Sequence, residues 1–172
     1  MPASTSARAV RATPPAPIVV RRSRIQGRGV FATRFIAEGE RIVEYIGERM
    51  THDEADASCP DDEAASRHHT FLFAVDDDTV IDGSRRGNDA KYINHSCEPN
   101  TEVVIERRRV YIHALRDIEA GEELSYDYWY MTDESYTLED LKRIYPCRCG
   151  AKGCRGTLAR PPRRVKKRAR TP

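Results

Sequence analysis

A chain of 172 residues, 39% hydrophobic and 33% charged, is long enough for one domain with a real core. It has no apolar run near the roughly 20 residues that cross a bilayer, and no secretory-type apolar segment at its start, so no membrane role is expected. The net charge of +2 hides an asymmetry: Arg160 to Pro172 holds seven basic residues and no acid, and subtracting those seven leaves −5 on the rest. An acidic body suits a Lys/Arg-rich protein substrate, and a basic tail suits a weak nucleic-acid contact, although solvated charge explains isolated runs equally well.

In chain order, Met1 to Pro17 is a low-complexity leader expected to be disordered. Ile18 to Arg21 and Val30 to Ala32 read as strands flanking Gly27-Arg28-Gly29, whose glycines permit close backbone approach to a ligand or simply a tight turn. No third glycine follows at dinucleotide-fold spacing. Arg41 to Ile46 reads as a strand ended by Gly47, and the acidic, Ala-rich residues 51–66 as a short helix and loop. Thr70 to Val75 and Thr79 to Asp82 form a predicted hairpin, as do Thr101 to Glu106 and Arg109 to Leu115 with Arg107-Arg108 at the turn. Glu123 to Tyr128 is the last predicted strand. Thr137 to Tyr145 has helical spacing, with Leu138, Leu141 and Ile144 on one face and Thr137 as N-cap. Short strands at close spacing predict a mostly β domain with short helices.

Two stretches concentrate polar chemistry. Asn94, His95, Ser96, Cys97 and Asn100 lie between apolar segments, so they form either an ordinary turn or a buried polar knot in which each group needs a partner. Cys147, Cys149 and Cys154 follow a CxC-x4-C pattern among Gly150, Gly153 and Gly156. Five cysteines with no secretory signal do not suggest disulfides. Three clustered thiolates suit a structural zinc that needs a fourth ligand; Cys97 is the best candidate, and Cys59 reads as a bystander.

Taken together and in order, Gly27-Arg28-Gly29-Val30-Phe31, Glu44-Tyr45-Ile46-Gly47-Glu48, Asn94-His95-Ser96-Cys97-Glu98-Pro99-Asn100, Gly121 to Tyr128 and the terminal cysteine cluster resemble the SET-domain protein-lysine methyltransferases with a post-SET zinc-binding motif. The resemblance implies a SET fold of small β-sheets with a C-terminal pseudoknot. The SET domain would span 18–130, a helix and post-SET segment 131–158, and the basic tail 159–172. It implies S-adenosylmethionine as cofactor, held by Gly27, Arg28, Gly29, Phe71, Lys91, Asn94, His95, Arg148 and Leu158. It implies Tyr128, Tyr45 and Tyr126 in the lysine channel, with Tyr128 as the catalytic tyrosine, and one structural zinc on Cys97, Cys147, Cys149 and Cys154. Two positions depart from the family pattern: Lys91-Tyr92 replaces the usual Arg-Phe, and Phe71 stands where many members have Tyr. Lys91 keeps the charge without the bidentate fork.

The implied activity is methylation of lysine on a histone tail or a histone-like DNA-binding protein. The setting would be intracellular: nucleus or chromosome in a eukaryote, cytoplasm or nucleoid in a bacterium. Tyr126 implies a product that stops mainly at monomethyl-lysine. The competing readings are a catalytically weak SET scaffold, or a zinc module that binds basic peptides or nucleic acid.

Overall fold

The computed structural model describes residues 16–58, 71–131 and 135–160. Most of the leader, Cys59, Thr70 and the tail beyond Arg160 lie outside the described residues. Strands β1 (Ile18–Arg22) and β2 (Arg28–Ala32) form an antiparallel hairpin with Val20 opposite Val30. Next come β3 (Arg41–Tyr45), β4 (Glu48–Met50) and the helix α1 (His52–Ser58). The hairpin of β5 (Leu72–Asp76) and β6 (Thr79–Asp82) takes β4 on the free edge of β6. A 3₁₀ turn (Asp89–Tyr92) leads into the two-residue strand β7 (Asn94–His95). The hairpin of β8 (Thr101–Glu106) and β9 (Arg109–Ala114) takes β3 on the free edge of β9. Then follow β10 (Ser125–Tyr126), β11 (Tyr130–Met131), the helix α2 (Leu138–Ile144) and β12 (Ala159–Arg160).

These strands form five small sheets rather than one layer. One core joins them: Val30, Ile42, Ile81 and Ile112 from β2, β3, β6 and β9, with Ile36, Ile93, Ile118 and Leu124 from the connections, are buried together. Each such side chain contributes about 1.5–3 kcal/mol of transfer free energy. The β8–β9 turn places Arg107 at φ 50° and Arg108 at φ 63°. Both central residues of a tight hairpin turn need positive φ, a position that normally favours Asn-Gly. Arg108 Nε also pairs with Asp76 Oδ2 at 2.9 Å.

The site depends on the crossing of two distant segments. β10 runs parallel to β7, with Ser125 opposite Asn94 and Tyr126 opposite His95. Asn100 joins them: its Oδ1 accepts from Ser125 N at 2.9 Å and its Nδ2 donates to Glu123 O at 2.9 Å. Thr101 Oγ1 donates to Ser125 O at 2.9 Å. The stretch from Asn94 to Asn100 is therefore a buried knot with its polar groups partnered, as burial requires.

Three expectations change. The strand from Glu123 to Tyr128 narrows to Ser125–Tyr126, because Asp127 turns its carboxylate back to Trp129 N (3.3 Å) and Trp129 adopts φ 53°. β4 was not expected; it ends the chain's excursion past Gly47 by pairing with β6. On α2 only Leu141 is buried, while Leu138 stays exposed. Thr137 caps the helix as expected, within a reciprocal box with Asp140.

Candidate functional site

An aromatic channel grows out of β3, β5 and β10. Tyr45 and Tyr126 are buried, and the ring centroids run 5.3 Å from Tyr45 to Phe73, 6.3 Å from Phe73 to Tyr126 and 5.0 Å from Tyr126 to Tyr128. Tyr130 continues the row at 6.0 Å from Tyr128 and stacks on Tyr145 at 5.8 Å. Two hydroxyls are anchored to backbone carbonyls: Tyr45 OH donates to Phe71 O at 2.7 Å and Tyr128 OH to Ile93 O at 2.9 Å. Burial raises the pKa of Tyr45, Tyr126 and Tyr128, helped by their negative or phenolic neighbours. All three stay protonated at neutral pH, the form in which the Tyr45 and Tyr128 hydroxyls donate to backbone carbonyls.

The channel opens into a cavity of about 1160 Å³. Of the residues expected at a cofactor, Phe71, Lys91, Asn94, His95, Arg148 and Leu158 all line it, with Cys97 and Cys147 beside them. Gly27, Arg28 and Gly29 do not; Ile25 and Gln26 take their place at the wall. The Arg28 guanidinium lies over the Tyr92 ring at 3.9 Å. The glycines have structural reasons. Gly27 has φ 46°, and a Cβ on Gly29 would fall 2.2 Å from Glu123 Oε1. That carboxylate accepts from Ser23 Oγ at 2.7 Å and Asn94 Nδ2 at 3.0 Å, and Asn94 Nδ2 also reaches Arg28 O at 2.9 Å. The Asn94 side chain thus ties the β1–β2 loop to the knot. Lys91 Nζ sits 5.6 Å above the Phe71 ring and, among the described residues, pairs with no carboxylate.

The sulfurs of Cys97, Cys147, Cys149 and Cys154 all lie within 4.8 Å of one another. Cys97 Sγ and Cys147 Sγ are 3.7 Å apart. Bonds of ~2.3 Å to a tetrahedral zinc would set sulfurs about 3.8 Å apart, so this edge already has the right length. Backbone N–H groups point at the sulfurs: Cys149 N to Cys147 Sγ at 3.5 Å, Arg155 N to Cys97 Sγ at 3.4 Å and Gly156 N to Cys154 Sγ at 3.4 Å. Burial raises the Cys97 and Cys147 thiols, while at Cys149 burial is outweighed by surrounding N–H groups and the thiol comes down to about 7. N–H groups aimed at sulfur favour thiolates, the form that binds metal.

A charged hub joins this cluster to the channel, and the motifs did not single it out. Asp127, between the two channel tyrosines, has a side chain only 8% exposed. It accepts from Arg155 Nη1 and Nη2, both at 2.9 Å, and from Arg160 Nε and Nη2 at 3.1 and 3.0 Å. Burial alone would raise the pKa of Asp127, but the Arg155 and Arg160 guanidinia and the Trp129 N–H together hold it below the usual carboxylate range. Its neighbour His95 is neutral: burial, reinforced by Arg155 against Asp127, lowers it to about 4. His95 Nδ1 accepts from Tyr128 N at 3.2 Å, so Nε2 carries the proton and faces Cys97 Sγ at 3.4 Å. The 3.6 Å approach of His95 Nδ1 to Asp127 is therefore not an ion pair. An acid lying between two tyrosines, together with an Arg following the last cysteine, is the sequence signal that would have found this hub.

A sequence profile described as SET domain matches residues 27–129. The Saccharomyces cerevisiae protein named histone-lysine N-methyltransferase, H3 lysine-4 specific, is 41% identical over 146 residues, covering 83% of this chain and 13% of that protein. Proteins of the same name from Candida albicans and Kluyveromyces lactis are each 40% identical, over 146 and 148 residues, covering 83% of this chain and 14% of theirs. The chain thus spans 13–14% of the length of these curated relatives.

Proposed function

The chain belongs to the SET-domain family, and we propose that it is a protein-lysine N-methyltransferase using S-adenosylmethionine on a Lys/Arg-rich protein. The relatives are named for lysine 4 of histone H3, which makes an H3-type tail the first substrate to test. A histone substrate would put the activity on chromosomes; a histone-like one would put it in a nucleoid. The observation that carries the reading is one cavity whose wall joins the tyrosines Tyr45, Tyr126 and Tyr128 to Phe71, Lys91, Asn94, His95, Arg148 and Leu158.

S-adenosylmethionine, when bound, supplies an electrophilic methyl on a positively charged sulfur. The residues present fit it: Lys91 offers an unpaired cation for its carboxylate, Phe71 and Leu158 offer apolar surface, and Asn94 and His95 hold the wall rigid. The remaining task is delivery of a neutral amine. Free lysine has a pKa near 10.4, so neutralising it at pH 7 costs about 4.6 kcal/mol. A narrow channel of tyrosine rings strips water from the amine and favours the neutral form by desolvation. The Tyr45 and Tyr128 hydroxyls are held on Phe71 O and Ile93 O, so their oxygens are fixed in place to orient that amine. Alignment of this kind can supply a large share of the rate. No carboxylate or charged histidine is needed as base, and His95 spends both ring nitrogens on the protein. The four cysteines are proposed to hold one structural zinc, which fixes the post-SET wall carrying Arg148 and Leu158.

Incubation with isotopically labelled cofactor and a panel of basic proteins, read by mass spectrometry, tests the proposal. Label on lysine of a histone-type tail is the expected result. Cofactor binding with no transfer to any protein would instead make the chain a catalytically weak scaffold.

A further inference from the structure

We infer that the tip of the β1–β2 hairpin docks on the phosphate backbone of duplex nucleic acid, so that the cleft meets its lysine while the substrate is itself bound there. The second half rests on the methyltransferase reading; the first does not. Arg21, Arg22, Arg24 and Arg28 fall within eight residues at this tip and are all exposed. Among the described residues, none of them pairs with a carboxylate. Elsewhere Arg34, Arg41, Arg108, Arg109 and Arg116 each sit on one. Arg86, Arg107, Arg148 and Lys152 are also exposed without a carboxylate partner among the described residues, but nowhere else among them do four such arginines fall within eight residues.

The arrangement also works against the hairpin's own stability. Arg22 lies directly opposite Arg28 in the antiparallel register, and like charges so placed repel. Val20 and Val30 supply the hairpin's apolar contact, and of the opposed pair only Arg28 stacks on an aromatic ring, that of Tyr92. A repulsion that the fold does not require fits a surface that waits for an anion.

The tip is moreover fixed rather than floppy. Ser23 Oγ accepts from Ile25 N at 2.9 Å and donates to Glu123 Oε1 at 2.7 Å, and Asn94 holds Arg28 O. A preorganised basic loop loses less entropy on binding than a mobile one. Side chains alternate along a strand, so Arg21 leaves one face of the ribbon, near Phe31, while Arg22 and Arg28 leave the other. A ribbon basic on both faces suits phosphates on two sides of a groove, and the B-form major groove admits such a ribbon. A lipid surface would call for an exposed apolar side chain at the tip, whereas Ile25 turns into the cleft. Because Ile25 and Gln26 line the cleft, docking at these arginines would hold its mouth beside the nucleic acid.

The test is a fluorescence anisotropy titration of the full chain against a labelled duplex of about 20 base pairs and arbitrary sequence, over a salt series. The intact chain should bind, with affinity falling steeply as salt rises. The triple variant Arg21→Ala, Arg22→Ala, Arg24→Ala should bind at least tenfold more weakly at low salt, and its log–log salt slope should shrink by up to about 2.7, at roughly 0.9 per phosphate contact. The corresponding triple lysine variant should bind nearly as the intact chain does. Equal affinity and slope for the intact and alanine forms would overturn the inference, as would no binding by the intact chain at about 50 mM salt. For the substrate half, the alanine variant should methylate a free peptide at the intact rate and a DNA-bound basic protein more slowly. Equal rates on the DNA-bound protein would overturn that half. Absence of transfer to either substrate by the intact chain would refute the methyltransferase reading alone and leave the DNA result standing.

Discussion

Asp127→Asn removes the charge that binds the post-SET segment to the channel while nearly preserving its volume. The native carboxylate takes charge-assisted hydrogen bonds from Arg155 and Arg160 and is 8% exposed, against 23% and 40% for the two arginine side chains. Removing one partner of a buried ion pair costs about 3–5 kcal/mol, chiefly because the other charge is left uncompensated. Arg160 can return to water, and the amide oxygen of Asn still accepts one bond, which puts the expected loss near the lower bound, about 3 kcal/mol. For a chain of this size that lowers Tm by roughly 6–12 °C. Calorimetry of zinc-loaded protein should show the drop, and hydrogen exchange should rise across residues 146–160 while metal content stays unchanged. The pH dependence has a definite sign. The folded pKa of Asp127 lies below its unfolded value of about 3.9, so its stabilisation is complete above about pH 4 and is lost as the pH falls through the lowered folded value. A loss under about 1 kcal/mol, the level of an exposed surface pair, would refute the hub.

Cys97→Ser should release the metal and cost several kcal/mol of folding free energy; full metal content by elemental analysis would show that the fourth ligand lies elsewhere. Tyr128→Phe should leave cofactor affinity by calorimetry nearly unchanged and lower turnover about 100-fold or more, on the scale of losing one fixed hydrogen-bonding group. Near-native turnover would move the role to Tyr45. Tyr126→Phe should shift product from monomethyl-lysine toward di- and trimethyl-lysine, because a hydroxyl there can hold a water where further methyl groups must fit. Abundant trimethyl-lysine from the unmutated chain, seen by mass spectrometry at completion, would sink that idea.

What the sequence made legible was local, or was carried by chemically rare residues. Both long hairpins and the Thr137 box follow from spacing within a few residues. The four-cysteine set was identifiable although Cys97 lies 50 residues from Cys147, since few arrangements satisfy clustered thiols. The Asp127 hub was not, because Arg155 and Arg160 look like any other basic residues until the fold brings them 28 and 33 positions back along the chain. The Gly27-Arg28-Gly29 triplet, expected at the cofactor, directly follows Ile25 and Gln26, which line the cleft. In the fold the Arg28 side chain lies on Tyr92, Gly27 serves a left-handed turn and Gly29 the close approach of Glu123. The narrowing of β10 had no signal either, since nothing in Asp127-Tyr128-Trp129 forces Trp129 to φ 53°.

The post-SET wall raises the question of what orders it, because it has little apolar surface with which to order itself. α2 is seven residues long with one buried side chain, Leu141, and the described residues after it bury only Thr157 and Ala159 fully. A helix of that length is marginal in water without tertiary support. The support is polar: Thr157 Oγ1 donates to Leu141 O at 3.0 Å, Leu158 N to Tyr145 O at 2.8 Å, and Arg155 and Arg160 close on Asp127. Cys97 is the one member of the thiol cluster from outside this segment, and His95 links it to Tyr128 N. Loosening the cluster would therefore release the wall that carries Arg148 and Leu158 and remove the hydrogen-bonding partner of the histidine that seats Tyr128. Formation of the cleft and order of the thiol cluster are then one event, and a chelator should abolish cofactor binding before it unfolds the Val30–Leu124 core.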